Sequence, residues 1–405
     1  MTDDCEPAAE QADSDQARLA ERTKKRRRRR RRLVGGLVFV VLVFLVWYRL
    51  TLHPGSCGPG RLYRVRKTWI VQLEGAPFDL GYQHGRLLKH RLSVPLAGHP
   101  LPLVSKWLNH PYERWRTQAP DYEQFIPPHL IEEMKGIAAG AGIDYRDILT
   151  EHTFLEPLRG PACSAYAVFG KATADGTMVV GYNLEHHGLG LAEKFTMVFD
   201  VRPDVGHRSI SISWPGFAGS VAAMNDRGLV AVLNNAGSRH TSRDGVPYAF
   251  LVREIVQSSA TVEEAEEYLK HARRTIGNIV LIAQADPPRA VVAEFDAEGI
   301  AFRFPEEDIL IATNYFRTLY QRQPLGLADG QDSRYLTLLR SVRENYGRVT
   351  SETNFLSVPG VYQDFGIFSV LFDPTAKRFW LAHGRMPAAE QPYRRFTITP
   401  SLIGP

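Results

Sequence analysis

The chain has 405 residues, 44% hydrophobic and 10% aromatic, enough for one large domain or two modest ones. Its formal net charge of +5 is concentrated at one end: residues 1–32 carry eleven basic and seven acidic groups, or +4, which leaves +1 for everything from Leu33 onward. A near-neutral body has no diffuse positive field to hold a phosphate backbone, so nucleic acid is excluded as a partner.

Residues 1–32 lack any apolar period and end in the basic run Lys24–Arg32; they read as a disordered cytoplasmic tail. Residues 33–52 follow as an apolar stretch, free of charge as far as Arg49, with Trp47 and Tyr48 at its end. A helix needs roughly 20 such residues to cross a bilayer, so 33–52 is expected to be a single-pass signal-anchor in the cell membrane. The basic flank keeps the N-terminus cytoplasmic and places the rest outside. A cleaved signal peptide is the rival reading, but no small-x-small site follows Tyr48. Residues 53–67 are rich in Gly and Pro and read as a linker.

The globular pattern starts near residue 68, and the segment 68–162 reads mainly as helical. Pro127 and Pro128 open a helix that Gly140 and Gly142 are expected to stop. The period changes at Cys163, which opens the segment 163–405, one domain together with 68–162. Cys163–Phe169 and Thr177–Asn183 flank the turn Ala174-Asp-Gly176, which predicts a β-hairpin. Further strands are predicted at 209–213, 220–225, 229–233, 279–283, 290–295 and 309–313, with a closing hairpin over 366–372 and 378–382. Thr261-Val-Glu-Glu264 predicts a capped helix start. Many strands with intervening helices give an α+β body of stacked sheets covered by helices.

Of three cysteines, Cys5 falls in the tail, Cys57 in the linker and Cys163 at the head of a strand. Arg159-Gly-Pro-Ala162 supplies a sharp turn, and the small Ala162 leaves the Ala162–Cys163 peptide open to the Cys163 thiol. Breaking that bond would give Cys163 a free α-amine, whose ordinary pKa of roughly 7.7–8.0 suits a general base. On the residues alone, a small buried hydrophobe remains the commoner fate of a free cysteine.

Cys163–Glu185 resembles the nucleophile hairpin of the acyl-coenzyme A:6-aminopenicillanic acid acyltransferase family, peptidase family C45, among the N-terminal nucleophile (Ntn) hydrolases. The likeness extends over 69–396. Phe78-Asp-Leu-Gly-Tyr-Gln-His-Gly-Arg86 and Glu133-Met-Lys-Gly-Ile-Ala-Ala-Gly-Ala-Gly142 are similar to two helices of that family. Trp214-Pro-Gly-Phe217 and Met224–Asn234 resemble its central strands, and Ala312-Thr-Asn314 and Asp332-Ser-Arg-Tyr335 come later in the same order. The resemblance implies an Ntn αββα four-layer sandwich and an amidohydrolase or N-acyltransferase that works through a thioester on Cys163. It implies cleavage between Ala162 and Cys163, Asn234 as oxyanion donor, Asn314 as a second polar group, and Arg334 as the cation near thiolate and amine. Glu185 takes the place of an aspartate that orients the new N-terminus, while Tyr182 stands where relatives carry arginine.

The expected substrate is a small-molecule or lipid-like N-acyl amide. No cofactor is expected, and neither His186-His187 nor any other motif gives metal-ligand spacing. Two other readings stay open: a catalytically degenerate Ntn scaffold that binds at the surface, and a papain-like cysteine protease pairing Cys163 with His84.

Overall fold

The computed structural model describes residues 53–92, 112–153, 163–186, 192–320, 332–399 and 402–403. The chain divides into Met1–Leu52 and His53–Pro405. The first unit, with the expected tail and anchor, lies outside the described residues. Among the described residues no helix is long and apolar enough to cross a membrane.

Among the described residues seventeen strands form two sheets. In chain order they are β1 (Gly55–Cys57), β2 (Gly60–Val65), β3 (Thr68–Gly75), β4 (Ser164–Gly170), β5 (Gly176–Glu185) and β6 (Met197–Pro203). Then come β7 (Ser209–Ser213), β8 (Ala222–Asn225), β9 (Leu229–Asn235), β10 (Asn278–Gln284), β11 (Arg289–Phe295) and β12 (Ile300–Arg303). The last five are β13 (Ile309–Ala312), β14 (Gly366–Asp373), β15 (Arg378–His383), β16 (Arg394–Ile398) and β17 (Leu402–Ile403). One sheet has the order β1-β2-β3-β6-β7-β8-β9-β10-β11-β12, the other β13-β4-β5-β14-β15-β16-β17. Among these pairs only β3 and β6 run parallel.

The helices of nine or more residues are labelled α1 (Pro77–Leu87), α2 (Pro128–Ala141), α3 (Tyr145–Thr153), α4 (Tyr248–Ser258), α5 (Val262–His271) and α6 (Ser333–Glu344). Helix α1 lies on β2 and β3, α4 on β8 and β9, and α5 on β10 and β11, all on the ten-stranded sheet. Strands β4 and β5 meet β9 and β10 face to face, and α6 covers the outside of β13. The result is helices, sheet, sheet, helix, the four layers expected. Side chains on β4 serve both faces in alternation. Tyr166 and Val168 point outward to Leu338 and Val342 of α6, in one apolar cluster with Ile311 and Leu371. Ala165 is the register partner of Tyr182, whose hydroxyl reaches Leu233 of the other sheet.

The linker expected over 53–67 is corrected: these residues form β1 and β2. Cys57 pairs with Gly60 across a two-residue loop, Gly58-Pro59, with Gly58 at φ +57°. The Gly/Pro content thus encodes a hairpin turn rather than a spacer, and Leu62 is buried beneath it. The helical segment expected from 68 likewise opens with a strand, β3, before α1 begins. Gly140 does not stop α2 as expected. The helix runs to Ala141, and Gly142 at φ +73° ends it, its N–H donating to Ala138 O.

Gly140 has another use. A Cβ on Gly81 or Gly85 of α1 would lie 1.8 Å from Glu133 O or 2.1 Å from Ile137 O. Conversely, one on Gly136 or Gly140 of α2 would lie 2.2 Å from Phe78 O or 2.3 Å from Tyr82 O. Two glycines on each helix therefore let the backbones touch along a full turn.

This helix layer grips the loop between β7 and β8. His84 Nε2 on α1 accepts from Gly216 N–H at 2.8 Å, and His152 Nε2 on α3 accepts from Ala218 N–H at 2.7 Å. His152 Nδ1 donates to Ile148 O, and its ring stacks between Phe217 and Phe250. Arg253 of α4 joins Ala218 O at 3.2 Å to the buried carboxylate of Glu133 at 3.0 Å. Both imidazoles face N–H donors, so both must be neutral. Burial pushes His84 down to about 3, helped by His152 and Arg253, and pushes His152 down to about 4.

Gly136→Ala is expected to cost about 3 kcal/mol or more, the upper range of overpacking, read as a fall in denaturation midpoint. The two histidines give a second expectation. Between their native values and the ordinary 6.5 the unfolded chain binds more protons, so stability rises with pH across that window and is lost on acidification. A melting temperature that stays level from pH 7 to 4, or one that Gln at both positions fails to flatten, would contradict the clamp.

Candidate active site

Cys163 stands one residue before β4 and is 1% exposed. Its strand position follows from the β-forming run behind it. The turn Arg159–Ala162 and the Ala162 side of the expected cleavage site lie outside the described residues. Burial pushes the thiol up to about 11, opposing the Glu185 backbone N–H and the Arg334 guanidinium, which act the other way.

Arg334 gathers the site. Residue 334 sits in the first turn of α6, whose N-cap Asp332 accepts from Tyr335 N–H at 3.2 Å and also takes the Thr313 hydroxyl. From there Arg334 Nη1 donates to Cys163 O at 2.7 Å and to Ser164 Oγ at 3.2 Å, while Nη2 donates to Asn314 Oδ1 at 2.8 Å. Asn314 Nδ2 in turn donates to Asn235 O at 2.6 Å, tying the loop after β13 to the end of β9. Three of the five expected residues, Cys163, Asn314 and Arg334, are thereby hydrogen-bonded together.

Glu185, the last residue of β5, has no exposed surface. Its Oε1 accepts from Gln363 N–H at 2.5 Å, and Oε2 lies 3.6 Å from Arg334 Nη1 with no hydrogen bond among the described residues. Burial lifts its carboxyl to about 8, against the pull of the Gln363 N–H and Arg334.

Asn234 on β9 is fully buried and joins the group at one remove. Its Nδ2 donates to Thr313 O at 3.0 Å, next to Asn314, and its Oδ1 has no partner among the described residues. One Nδ2 proton remains beyond that bond. Its neighbour Leu233 approaches the thiol through Tyr182: Tyr182 Oη is 2.5 Å from Leu233 O and 3.7 Å from Cys163 Sγ.

The papain-like pairing is corrected. His84 spends Nε2 on Gly216 N–H and packs its ring on Phe199, on the outer face of the other sheet. Of the pair His186-His187, residue 187 lies outside the described residues. Among the described residues no group of three His, Cys, Asp or Glu side chains is placed to hold a metal.

Sequence reasoning missed Asp332, Thr313 and Gln363 as supports. Only Asp332 carried a readable signal, an acidic N-cap ahead of the helical repeat Leu336, Leu339 and Arg343. The Gln363 contact is a backbone N–H brought in by tertiary packing and has no side-chain signature.

Comparison with known proteins places these residues among relatives. A family model, acyl-coenzyme A:6-aminopenicillanic acid acyl-transferase, matches residues 190–355. That span contains Asn234, Asn314 and Arg334, while Cys163 and Glu185 precede it. An uncharacterized protein of Archaeoglobus fulgidus is 25% identical over 341 residues, covering 70% of this chain and 56% of that protein. Protein dcd1A of Dictyostelium discoideum is 24% identical over 251 residues, covering 53% and 56%. The chain thus spans about half the length of the curated relatives it matches.

Solved structures that align include a Caenorhabditis elegans N-acylethanolamine-hydrolyzing acid amidase ortholog at 16% identity and TM-score 0.41, covering 56% of this chain and 96% of that one. A conjugated bile acid hydrolase of Clostridium perfringens aligns at 11% identity and TM-score 0.38, covering 60% and 96%. Through residues 190–355 the chain is similar to the acyl-coenzyme A:6-aminopenicillanic acid acyl-transferase family.

Proposed function

We propose that this chain is an autoproteolytic cysteine Ntn enzyme that cleaves, or transfers the acyl group of, linear N-acyl amides. One observation carries the reading: Cys163 heads a strand with Arg334 bonded to its carbonyl and Asn314, Glu185 and Asn234 gathered through that arginine and its neighbours. In the maturation step the Cys163 sulfur attacks the Ala162 carbonyl and the C–N bond breaks. The acyl group passes to sulfur, the thiol proton passes to the nitrogen, which becomes the new α-amine, and water hydrolyses the thioester to release the carboxylate of Ala162 and the free thiol. In turnover the α-amine takes the thiol proton as sulfur attacks the substrate carbonyl. The spare Nδ2 proton of Asn234 meets the oxyanion, and the departing amine receives the proton from the α-ammonium. Water then releases the acid, or an amine accepts the acyl group.

The anchor expected at 33–52 would hold this domain on the outer face of the cell membrane, where lipid-like N-acyl substrates are at hand. A second reading, a binding module on a degenerate scaffold, is favoured by the thiol's elevated pKa and by Tyr182 in place of arginine.

N-terminal sequencing of the purified chain separates the two. The enzyme reading predicts a fragment beginning at Cys163, absent from Cys163→Ala, and thiol-dependent hydrolysis in a panel of N-acyl amides. An intact wild-type chain inert toward every amide would leave the binding module. Asn234→Ala is expected to lower kcat by about 100- to 1000-fold with the processed fragments still present; an unchanged kcat would remove it as the oxyanion donor.

A further inference from the structure

The resting state of the Cys163 thiol can be read from the hydroxyl beside it. Tyr182 Oη carries one proton and has two neighbours able to receive it, Leu233 O at 2.5 Å and Cys163 Sγ at 3.7 Å. A carbonyl at the short end of the O–H···O range is the far better acceptor, since sulfur accepts weakly. The tyrosine proton therefore belongs to Leu233, and an Oη lone pair is left facing the sulfur. The sulfur already accepts from the Glu185 backbone N–H. What it can offer Tyr182 is its own S–H.

We infer that Tyr182 is a positioning residue that accepts the Cys163 S–H bond and holds the resting nucleophile as a thiol rather than a thiolate. The inference builds on the proposed role of Cys163, but the contacts it is argued from do not involve Ala162. A hydrogen bond to the neutral form opposes ionisation, whereas an arginine at this position would favour it. Burial also favours the neutral thiol. The tyrosine would lower the thiol only with its proton aimed at the sulfur, and the 2.5 Å bond to Leu233 O takes that proton away. Burial and the accepted S–H bond both leave activation to the amine that cleavage would release. Tyr182 also fixes the rotamer of the sulfur, because its ring is held against Phe368 at 5.9 Å while its hydroxyl is pinned to the opposite sheet.

The S–H stretching band reports this bond directly by infrared difference between wild type and Cys163→Ser. In the wild type the Cys163 band should sit below the frequency of a free thiol, and Tyr182→Phe should move it up. A band already at the free-thiol frequency, one that Tyr182→Phe leaves in place, or no band at neutral pH would overturn the inference. If Tyr182→Phe does not fold, a fluorinated tyrosine at 182 keeps the bond to Leu233 O while weakening the oxygen as acceptor. The band must then shift up by a smaller amount, and no shift again refutes the bond. N-terminal sequencing of the same samples keeps the outcomes apart. An uncleaved chain with a lowered band removes the proposed enzyme but not the bond, and a cleaved chain with a free-thiol band does the reverse.

Discussion

The site depends on where one guanidinium is held. Arg334 is planar, permanently charged and supplied with five donors, and it is nearly buried, so each donor needs an acceptor. Three of them are Cys163 O, Ser164 Oγ and Asn314 Oδ1, on two different segments of chain. The same first turn of α6 is fixed by Asp332, whose second oxygen takes the Thr313 hydroxyl while Thr313 O receives the Asn234 amide. A single helix start thus sets the strand carrying the cysteine, the loop carrying Asn314 and the strand carrying Asn234. A lysine could supply the charge but not the fork that joins them.

The support extends outward through Glu294. This buried carboxylate on β11 accepts from three successive backbone N–H groups, those of Arg317, Thr318 and Leu319, at 2.8–3.0 Å. Arg317, thereby anchored, lies over the Tyr335 ring and within 3.6 Å of Asp332. Buried Asp296 is spent in the same way, on the backbone N–H groups of His240, Glu298 and Gly299. Glu185 takes one such bond, from Gln363, and among the described residues its other oxygen has none.

Much of the body could be read from period and turn chemistry. The predicted strand at 209–213 matches β7, and those at 229–233 and 279–283 fall short of β9 and β10 by one or two residues, because alternation and flanking turns mark them locally. Thr261 Oγ1 accepts from Glu264 N–H, as its spacing predicted. Strand β6 escaped because Met197–Pro203 carries Asp200 and Arg202 in the middle of its run. Its parallel partner, β3, is more than a hundred residues away. Gly58-Pro59 was legible as a break but not as a turn, since the same two residues serve spacers and hairpins alike. In the site, the side chains could be nominated one by one through resemblance. Their connection could not, because Arg334 reaches Cys163 through the backbone carbonyl and Glu185 is held by a backbone N–H, and neither leaves a mark in residue type.

The grip of the helix layer on the β7–β8 loop bears on what a break just before Cys163 would leave. His84, His152 and Glu133 all precede that point, and their partners Gly216, Ala218 and Arg253 all follow it. So do the two sides of the parallel ladder, Ile70–Gly75 against Val198–Pro203. The two pieces would share one hydrophobic core and one continuous sheet, so parting them would amount to unfolding both. Such a molecule would behave as an obligate heterodimer that dilution does not separate on ordinary timescales, although no covalent bond joins its halves.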